Sequence, residues 1–207
     1  MRERPILFNS EMVKAILGGR KCQTRRVIKP QPVDHHWEND PLGRYKHHLR
    51  LVECQRGQFL SSWHSLGDHI DSSDESNQQI LCPYGVPGDR LYVKETWRPK
   101  SHNFPTGYPY EYKATAVQDG APVDEPWKPS IHMPKKAARI WLEITDIRVE
   151  RVQDISGDDA VAKGIKSTPD YAIDYFASLW DSINQKRGYG WESNPWVWVV
   201  EFKRATP

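Results

Sequence analysis

Apolar and polar residues in the first part of the chain predict a strand, a helix and a second strand. Residues 5–8 have strand character. A helix follows, because four apolar residues share one helical face: Met12, Val13, Ile16 and Leu17. Asn9 or Ser10 can cap its start, and Gly18 and Gly19 end it, because glycine adopts the left-handed conformation of a helix C-terminus without a Cβ clash. The residues after them are predicted to be extended.

Further strands are predicted at residues 90–95, 110–114 and 139–149. The apolar alternation of the third strand changes parity after residues 145–146, which predicts a bulge or bend. The last strand, residues 196–203, is apolar on both faces. It is therefore predicted to be central in its sheet.

Two helices are predicted between these last two strands. Ser156 caps the first, with Asp159 three residues later in a capping-box pattern, and Lys163 followed by Gly164 closes it. The second begins near Asp170. We interpret its large apolar residues as core, because they recur at helical spacing: Tyr175, Phe176, Leu179, Trp180 and Ile183.

Composition indicates one domain. The chain has 207 residues and no internal repeat, so we predict a single domain over residues 1–207 with an irregular polar insertion at about residues 31–80. Since no apolar stretch approaches the roughly 20 residues of a membrane span, we expect a soluble, cytoplasmic protein with no membrane partner. Three cysteines without a close pair favour reduced thiols.

The insertion invites a metal hypothesis, because it holds six of the eight histidines together with Cys54. It contains no Cys-x-x-Cys or His-x-x-x-His pair, so an irregular surface insertion is favoured over a structural zinc site. We predict no metal and no cofactor. Short strands are expected within it at residues 49–53 and 58–62.

Basic charge is concentrated near the start of the chain. The first thirty residues hold eight Lys and Arg residues and two acids, whereas the rest holds 21 and 25. Strand alternation places Thr24 and Arg26 on one side of the extended segment and Gln23 and Arg25 on the other, and Lys21 reaches the Thr24 side only from the preceding loop. A phosphate-binding patch and a solvated basic face both account for this charge.

The same segment resembles the signature of the ASCH domain family, relatives of the PUA domain. Gly19, Lys21 and Arg26 match a pattern that spaces Gly, Lys, Glu and Arg, with Thr24 in place of the glutamate. A bacterial branch of the family that hydrolyses N4-acetylcytidine has a threonine at this spacing. Five further segments resemble longer phage and prophage relatives: residues 4–8, 88–91, 95–97, 131–134 and 194–198.

This resemblance implies an α+β fold, a PUA-like mixed or antiparallel β-barrel flanked by short helices, here with the long insertion. It also implies that Lys21 and Thr24 are catalytic if the amidohydrolase chemistry is kept. The branch's catalytic glutamate aligns with Lys163, so another carboxylate has to substitute, with Glu95 the first choice over Asp158 or Asp159. Glu95 has a second interpretation, which we favour, as a buried acid paired with an arginine.

Three functions follow. The first is binding of RNA, another single-stranded nucleic acid or a nucleotide, with or without hydrolysis, by a basic cleft and an exposed loop: Arg20, Lys21, Arg25, Arg26, Lys135 and Lys136. The second is amide hydrolysis of a modified nucleoside by Lys21 and Thr24. The third is a non-catalytic, phage-type interaction protein. The oligomeric state stays open.

Overall fold

The described residues form strands and helices in an α+β arrangement. A computed structural model describes residues 1–32, 48–53, 59–64, 80–100, 109–116, 126–165 and 167–206. In chain order the elements are β1 (Glu3–Leu7), α1 (Ser10–Leu17), β2 (Gln23–Val27), β3 (His48–Glu53), β4 (Phe59–His64), β5 (Ile80–Leu81), β6 (Arg90–Lys94), β7 (Trp97–Pro99), β8 (Tyr110–Tyr112), β9 (Trp141–Arg151), α2 (Gly157–Ala162), α3 (Pro169–Asn184) and β10 (Trp196–Ala205). None of the helices in this part of the chain is long and apolar enough to cross a membrane.

The principal sheet has five strands in the order β1-β6-β9-β10-β2. It is mixed, because β1 runs parallel to β6 while the other neighbours are antiparallel. The α+β class and the mixed sheet are as predicted. The barrel is not closed among the described residues, since β1 and β2 are the sheet edges. A side-chain bond, from Arg26 Nη2 to the Leu7 carbonyl at 2.6 Å, links these two edges.

Two smaller sheets complete the described strands, β3-β4-β5 and β7-β8. The strands expected within the insertion are present as β3 and β4, which pair in antiparallel orientation. Residues 33–47, 54–58 and 65–79, with Cys54 and most of the insertion's histidines, lie outside the described residues.

The last strand is buried on both faces, as its apolar sequence predicts. Trp198, Val200 and Phe202 pack into one core with residues of α1, β1, β6 and β9. Val197 and Val199 pack on the opposite face against α2 and α3. The strand therefore separates two apolar layers, and β2 beside it forms the edge at which both layers end.

Local signals in the sequence set the ends of the elements. Asn9 caps α1, because its side chain accepts a bond of 2.9 Å from Met12 N, and Ser156 caps α2 in the same way. Gly19 takes the predicted left-handed conformation after α1, with φ of +70°. The predicted bulge lies in β9, where the register with β10 passes over Thr145.

The apolar stripe of α3 differs from the prediction. Phe176 and Trp180 are buried, whereas Tyr175, Leu179 and Ile183 are exposed, Tyr175 by 62%. A helix turns by about 100° per residue, so apolar residues adjacent in sequence project in different directions. One stripe packs against the sheet and the other faces outward, which corrects the assignment of Tyr175, Leu179 and Ile183 to the core.

Replacing Phe176 with Ala should lower the free energy of unfolding by about 3–5 kcal/mol, because it removes a buried ring and leaves a cavity. The neighbouring Tyr175→Ala variant is the matched control and should cost less than about 1 kcal/mol. Urea unfolding of both variants measures the difference. Equal losses would show that the two residues do not occupy different environments.

Candidate functional site

A cleft of about 830 Å³ lies beside the edge strand β2, with walls from α1 and α3. Among its described lining residues are seven Lys and Arg residues: Arg20, Lys21, Arg25, Arg26, Lys29, Lys163 and Arg187. One carboxylate, Glu11, is among them, and it is paired with Lys14 at 2.9 Å. The lining is therefore rich in basic side chains, and the volume of the cleft is in the range of ligand sites.

The register of β2 decides which side chains face the cleft. Thr24 pairs with Val200 and Arg26 with Trp198, so both share the sheet face of the first core. Lys21 precedes the strand, and its Nζ lies 5.4 Å from the centroid of the Phe8 ring, as does the Arg26 guanidinium carbon. Lys21 thus reaches the Thr24 side from the loop, as the sequence predicts.

The amine of Lys21 is buried between two backbone carbonyls. Its Nζ donates to the Gln23 oxygen at 2.7 Å and to the Lys163 oxygen at 3.1 Å. Burial, followed by the positive charge of Arg26, lowers the pKa of Lys21 to about 7. An uncharged amine has two N–H bonds and one lone pair, so both donors are used here and the lone pair remains. When the amine is protonated, a third N–H donor takes the place of the lone pair.

Thr24 is buried on the cleft side of β2. Its hydroxyl forms no hydrogen bond with other residues in the described part of the chain. The Lys21 amine binds the carbonyl of the preceding residue, Gln23. Lys21 and Thr24 therefore line one cleft, and both the lone pair of the uncharged Lys21 amine and the Thr24 hydroxyl are without a hydrogen bond to described residues.

Arg25 does not present its guanidinium to the cleft, which corrects its assignment as a nucleic-acid contact. Its fully buried side chain ion-pairs through Nη2 with Glu150 at 2.8 Å and Asp159 at 2.9 Å. Although burial alone disfavours the Asp159 carboxylate, hydrogen bonds from Gln23 and Arg25 hold its pKa below the ordinary value. Breaking such a buried pair costs about 3–5 kcal/mol, so Arg25 supports the fold.

Lys163, at the position aligned with the family's catalytic glutamate, does lie in the cleft. It caps the end of α2, and its backbone forms a bridge with Lys21. Its Nζ lies 3.6 Å from the centroid of the Phe176 ring. Burial, with the charges of Lys21, Arg25 and Arg26, lowers its pKa well below the ordinary value. The face of the Phe176 ring stabilises the ammonium form by about 1–2 kcal/mol. Burial alone can lower the pKa of a lysine by several units, which corresponds to a larger free energy, so burial outweighs the ring.

Cations with unused donors are also among the residues that line the cleft. Exposed Arg20 makes one long bond, 3.4 Å to the Gly164 carbonyl. Arg26 uses Nη2 for the Leu7 carbonyl, and its Nη1 forms no hydrogen bond with described residues. Lys29 and Arg187, which the sequence did not single out, also line this cleft. Arg187 follows α3 in a turn with no recognisable motif, so only the fold brings it here.

Glu95 is not the acid of this site. It is 1% exposed, and both of its oxygens accept bonds from Arg139, at 2.9 and 3.0 Å. It is absent from the described lining of the cleft. The catalytic assignment is corrected, and the favoured alternative of a buried ion pair is confirmed.

Lys135 and Lys136 also lie outside the described lining of the cleft. Lys135 pairs with Glu3 and lies 5.7 Å from the Trp141 ring, on the β6 and β9 part of the sheet. Met133, in the same predicted loop, is buried. The loop is therefore partly structural, and its lysines do not extend the cleft. Among the described residues, no group of three or more His, Cys, Asp or Glu residues could hold a metal ion.

The change in the free energy of unfolding caused by Lys21→Met should be more stabilising at about pH 7 than at about pH 10. The pKa of Lys21 is 10.5 in the unfolded chain and about 7 in the fold, so between these values only the unfolded state binds the proton. Wild-type stability therefore falls as pH decreases from about 10.5 to 7, at about 1.4 kcal/mol per pH unit.

Urea unfolding of wild type and variant at both pH values measures this difference. The loss of the two carbonyl bonds does not depend on pH, so it cancels when the two mutational changes are subtracted. The control is Lys14→Met, on the exposed face of α1. If the Lys21→Met change is the same at both pH values, the amine is not buried in its uncharged form.

Comparisons with known proteins give one distant structural similarity. No protein-family model matches the chain, and neither does any curated protein. The chain is similar to a high-resolution crystal structure of the ASCH domain from Lactobacillus crispatus JV V101, with a TM-score of 0.41, 11% sequence identity, and coverage of 98% of this chain and 79% of that chain. That is the family that the sequence motifs resemble. At this TM-score the similarity carries no argument, so the α+β class rests on the strands and helices themselves.

Proposed function

We propose that the cleft beside β2 binds single-stranded nucleic acid, RNA first, or a nucleotide released from it. The observation that carries the proposal is a set of four lining cations that form no ion pair with described residues: Arg20, Arg26, Lys29 and Arg187. The one lining carboxylate, Glu11, is already paired with Lys14. Such an excess attracts phosphate groups and releases their counterions. The motifs that resemble the ASCH family favour the same class of ligand.

Phosphate contacts are assigned to the lining cations that have donors left over. Arg26 Nη1 and the Arg20 guanidinium have donors left over, and a guanidinium can bind phosphate oxygens in a bidentate manner. Lys29 adds a cation from the chain just after β2, where its Nζ lies 5.0 Å from the Tyr189 ring. These groups supply charge without reading sequence.

Contacts with bases are assigned to the outward stripe of α3. Tyr175, Leu179 and Ile183 are exposed, lie four residues apart, and line the same cleft as the cations. Stacking of a base on an aromatic side chain contributes about 1–3 kcal/mol and tolerates any base. An apolar wall facing cations suits a single strand, whose bases are unpaired.

Binding to a labelled single-stranded RNA of about ten nucleotides should weaken steeply as salt rises. Arg20→Ala and Arg26→Ala should each weaken binding several-fold and reduce the slope of log affinity against log salt by about one, because each removes one phosphate contact. Tyr175→Ala should weaken binding with the slope unchanged. Fluorescence anisotropy over a salt series measures both quantities.

Arg204→Ala is the control, since Arg204 is an exposed arginine on β10 outside the described lining of the cleft. Thermal unfolding of Arg26→Ala is needed beside it, because Arg26 also binds the Leu7 carbonyl. RNA affinity that is insensitive to salt and to both arginine changes would contradict the proposal.

A second candidate, amide hydrolysis of a modified nucleoside, is favoured by one observation. Lys21 has a pKa of about 7 and a lone pair, and the Thr24 hydroxyl lies in the same cleft. An uncharged amine can accept the hydroxyl proton as Thr24 attacks an acyl carbon. This chain has Lys163 at the position that the resemblance aligns with the catalytic glutamate, so no carboxylate is provided there for the reaction. Amide hydrolysis is therefore the second candidate.

With N4-acetylcytidine as substrate, Thr24→Ala should abolish release of cytidine, by roughly 10³-fold or more, while nucleoside binding persists. The wild-type rate should rise as pH increases through about 7, because the base is the uncharged amine of Lys21. Liquid chromatography of the products measures the rate. Thr145→Ala, at the exposed bulge of β9, should retain wild-type activity. Turnover that survives in Thr24→Ala would exclude this mechanism.

A further inference from the structure

Lys163 is the amine of the cleft that neither proposed function uses. The residue is of intermediate burial and is among those that line the cleft. The Nζ atom lies 3.6 Å from the Phe176 ring centroid and 5.7 Å from that of Trp180. With described residues it forms neither a hydrogen bond nor an ion pair.

The surroundings of Lys163 disfavour its charged form. The cations Lys21, Arg25 and Arg26 act on it, and one carboxylate, Asp159, opposes them. That carboxylate is already shared, since its oxygens accept bonds from Gln23, Arg25 and Arg148. Burial and these neighbouring basic groups favour the uncharged amine over the ammonium, and the uncharged amine is the nucleophilic form.

The backbone holds this amine in place. The carbonyl of Lys163 accepts a bond of 3.1 Å from Lys21, and the next bond along, from Cys22 N to the Ala162 oxygen, is 3.0 Å. Both belong to the end of α2, which is fastened to the entry of β2. These bonds fix the backbone of Lys163 at the cleft, and the Phe176 ring lies under its Nζ atom.

We propose that Lys163 captures an aldehyde carried by a phosphate-bearing ligand in the cleft, as a reversible imine. The aldehyde is the ring-opened sugar of an abasic nucleotide within a single strand, or of a free sugar phosphate. The inference rests on the proposed binding of nucleic-acid phosphates by the same cleft. Arg20 and Arg26 hold the phosphate, which leaves the aldehyde carbon to the unpaired amine.

The step balances without any other reactant. The Lys163 nitrogen forms a bond to the aldehyde carbon, and the bond between that carbon and its oxygen breaks. The oxygen leaves as water with the two hydrogens of the amine, so nothing is oxidised or reduced. The imine can be hydrolysed again by the reverse path.

The experiment traps the imine with sodium borohydride, which converts it to a stable secondary amine. The purified chain of 207 residues is incubated with a single-stranded oligonucleotide containing one abasic site, with the intact oligonucleotide, or with deoxyribose 5-phosphate. Peptide mass spectrometry then locates the adduct. We expect one adduct, on Lys163, from the abasic strand and none from the intact strand.

Lys163→Arg keeps a long basic side chain but cannot form the imine, and it should reduce trapping at least tenfold. Lys203→Arg is the matched control, because Lys203 is an exposed lysine paired with Glu143 and should be trapped as wild type. An adduct located on Lys21, spread over exposed lysines, or undiminished in Lys163→Arg would overturn the inference, and the wild-type map decides this even if the variant folds poorly.

Affinity for the intact strand, measured beside the trapping, separates the two proposals. If the intact strand binds and no adduct forms, the imine is wrong and nucleic-acid binding stands. If the intact strand does not bind but deoxyribose 5-phosphate is trapped on Lys163, the imine stands with a free sugar phosphate as its source, and the proposed function is wrong.

Discussion

The cleft depends on the bonds that fasten the start of β2 to the end of α2. Arg25 and Asp159 form a buried ion pair at 2.9 Å, and the amine of Lys21 binds the backbone of Lys163 at 3.1 Å. A buried pair of this kind is expensive to break, which makes the junction rigid. Because of it, two amines that repel each other when charged are kept in one cleft, and both have lowered pKa values.

This junction divides the basic segment into structural and available residues. Alternation along β2 sends Arg25 to the side of α2, where carboxylates meet it, and Arg26 to the side of the cleft. One arginine therefore stabilises the fold and its neighbour offers donors to a ligand. Sequence alone treats the two as equivalent, although their partners give them different roles.

Local features of the fold were predictable, and pairings across the chain were not. The caps at Asn9 and Ser156 and the bulge at Thr145 follow from residues close in sequence, and all three are present. The cleft was predicted only in part, through Arg20, Lys21, Thr24 and Arg26. Glu95 was misassigned as its acid because the partner, Arg139, lies 44 residues away.

The sequence by itself determined the strands, the helices with their ends, and the burial of β10 on both faces, because hydrophobic periodicity and capping act over a few residues. The tertiary structure decided which charged groups stay available. Arg25 is neutralised by Asp159, 134 residues later, whereas Lys163 meets a ring and three cations and no carboxylate of its own. Charge and pKa depend on distances in space, and only the folded chain sets those distances.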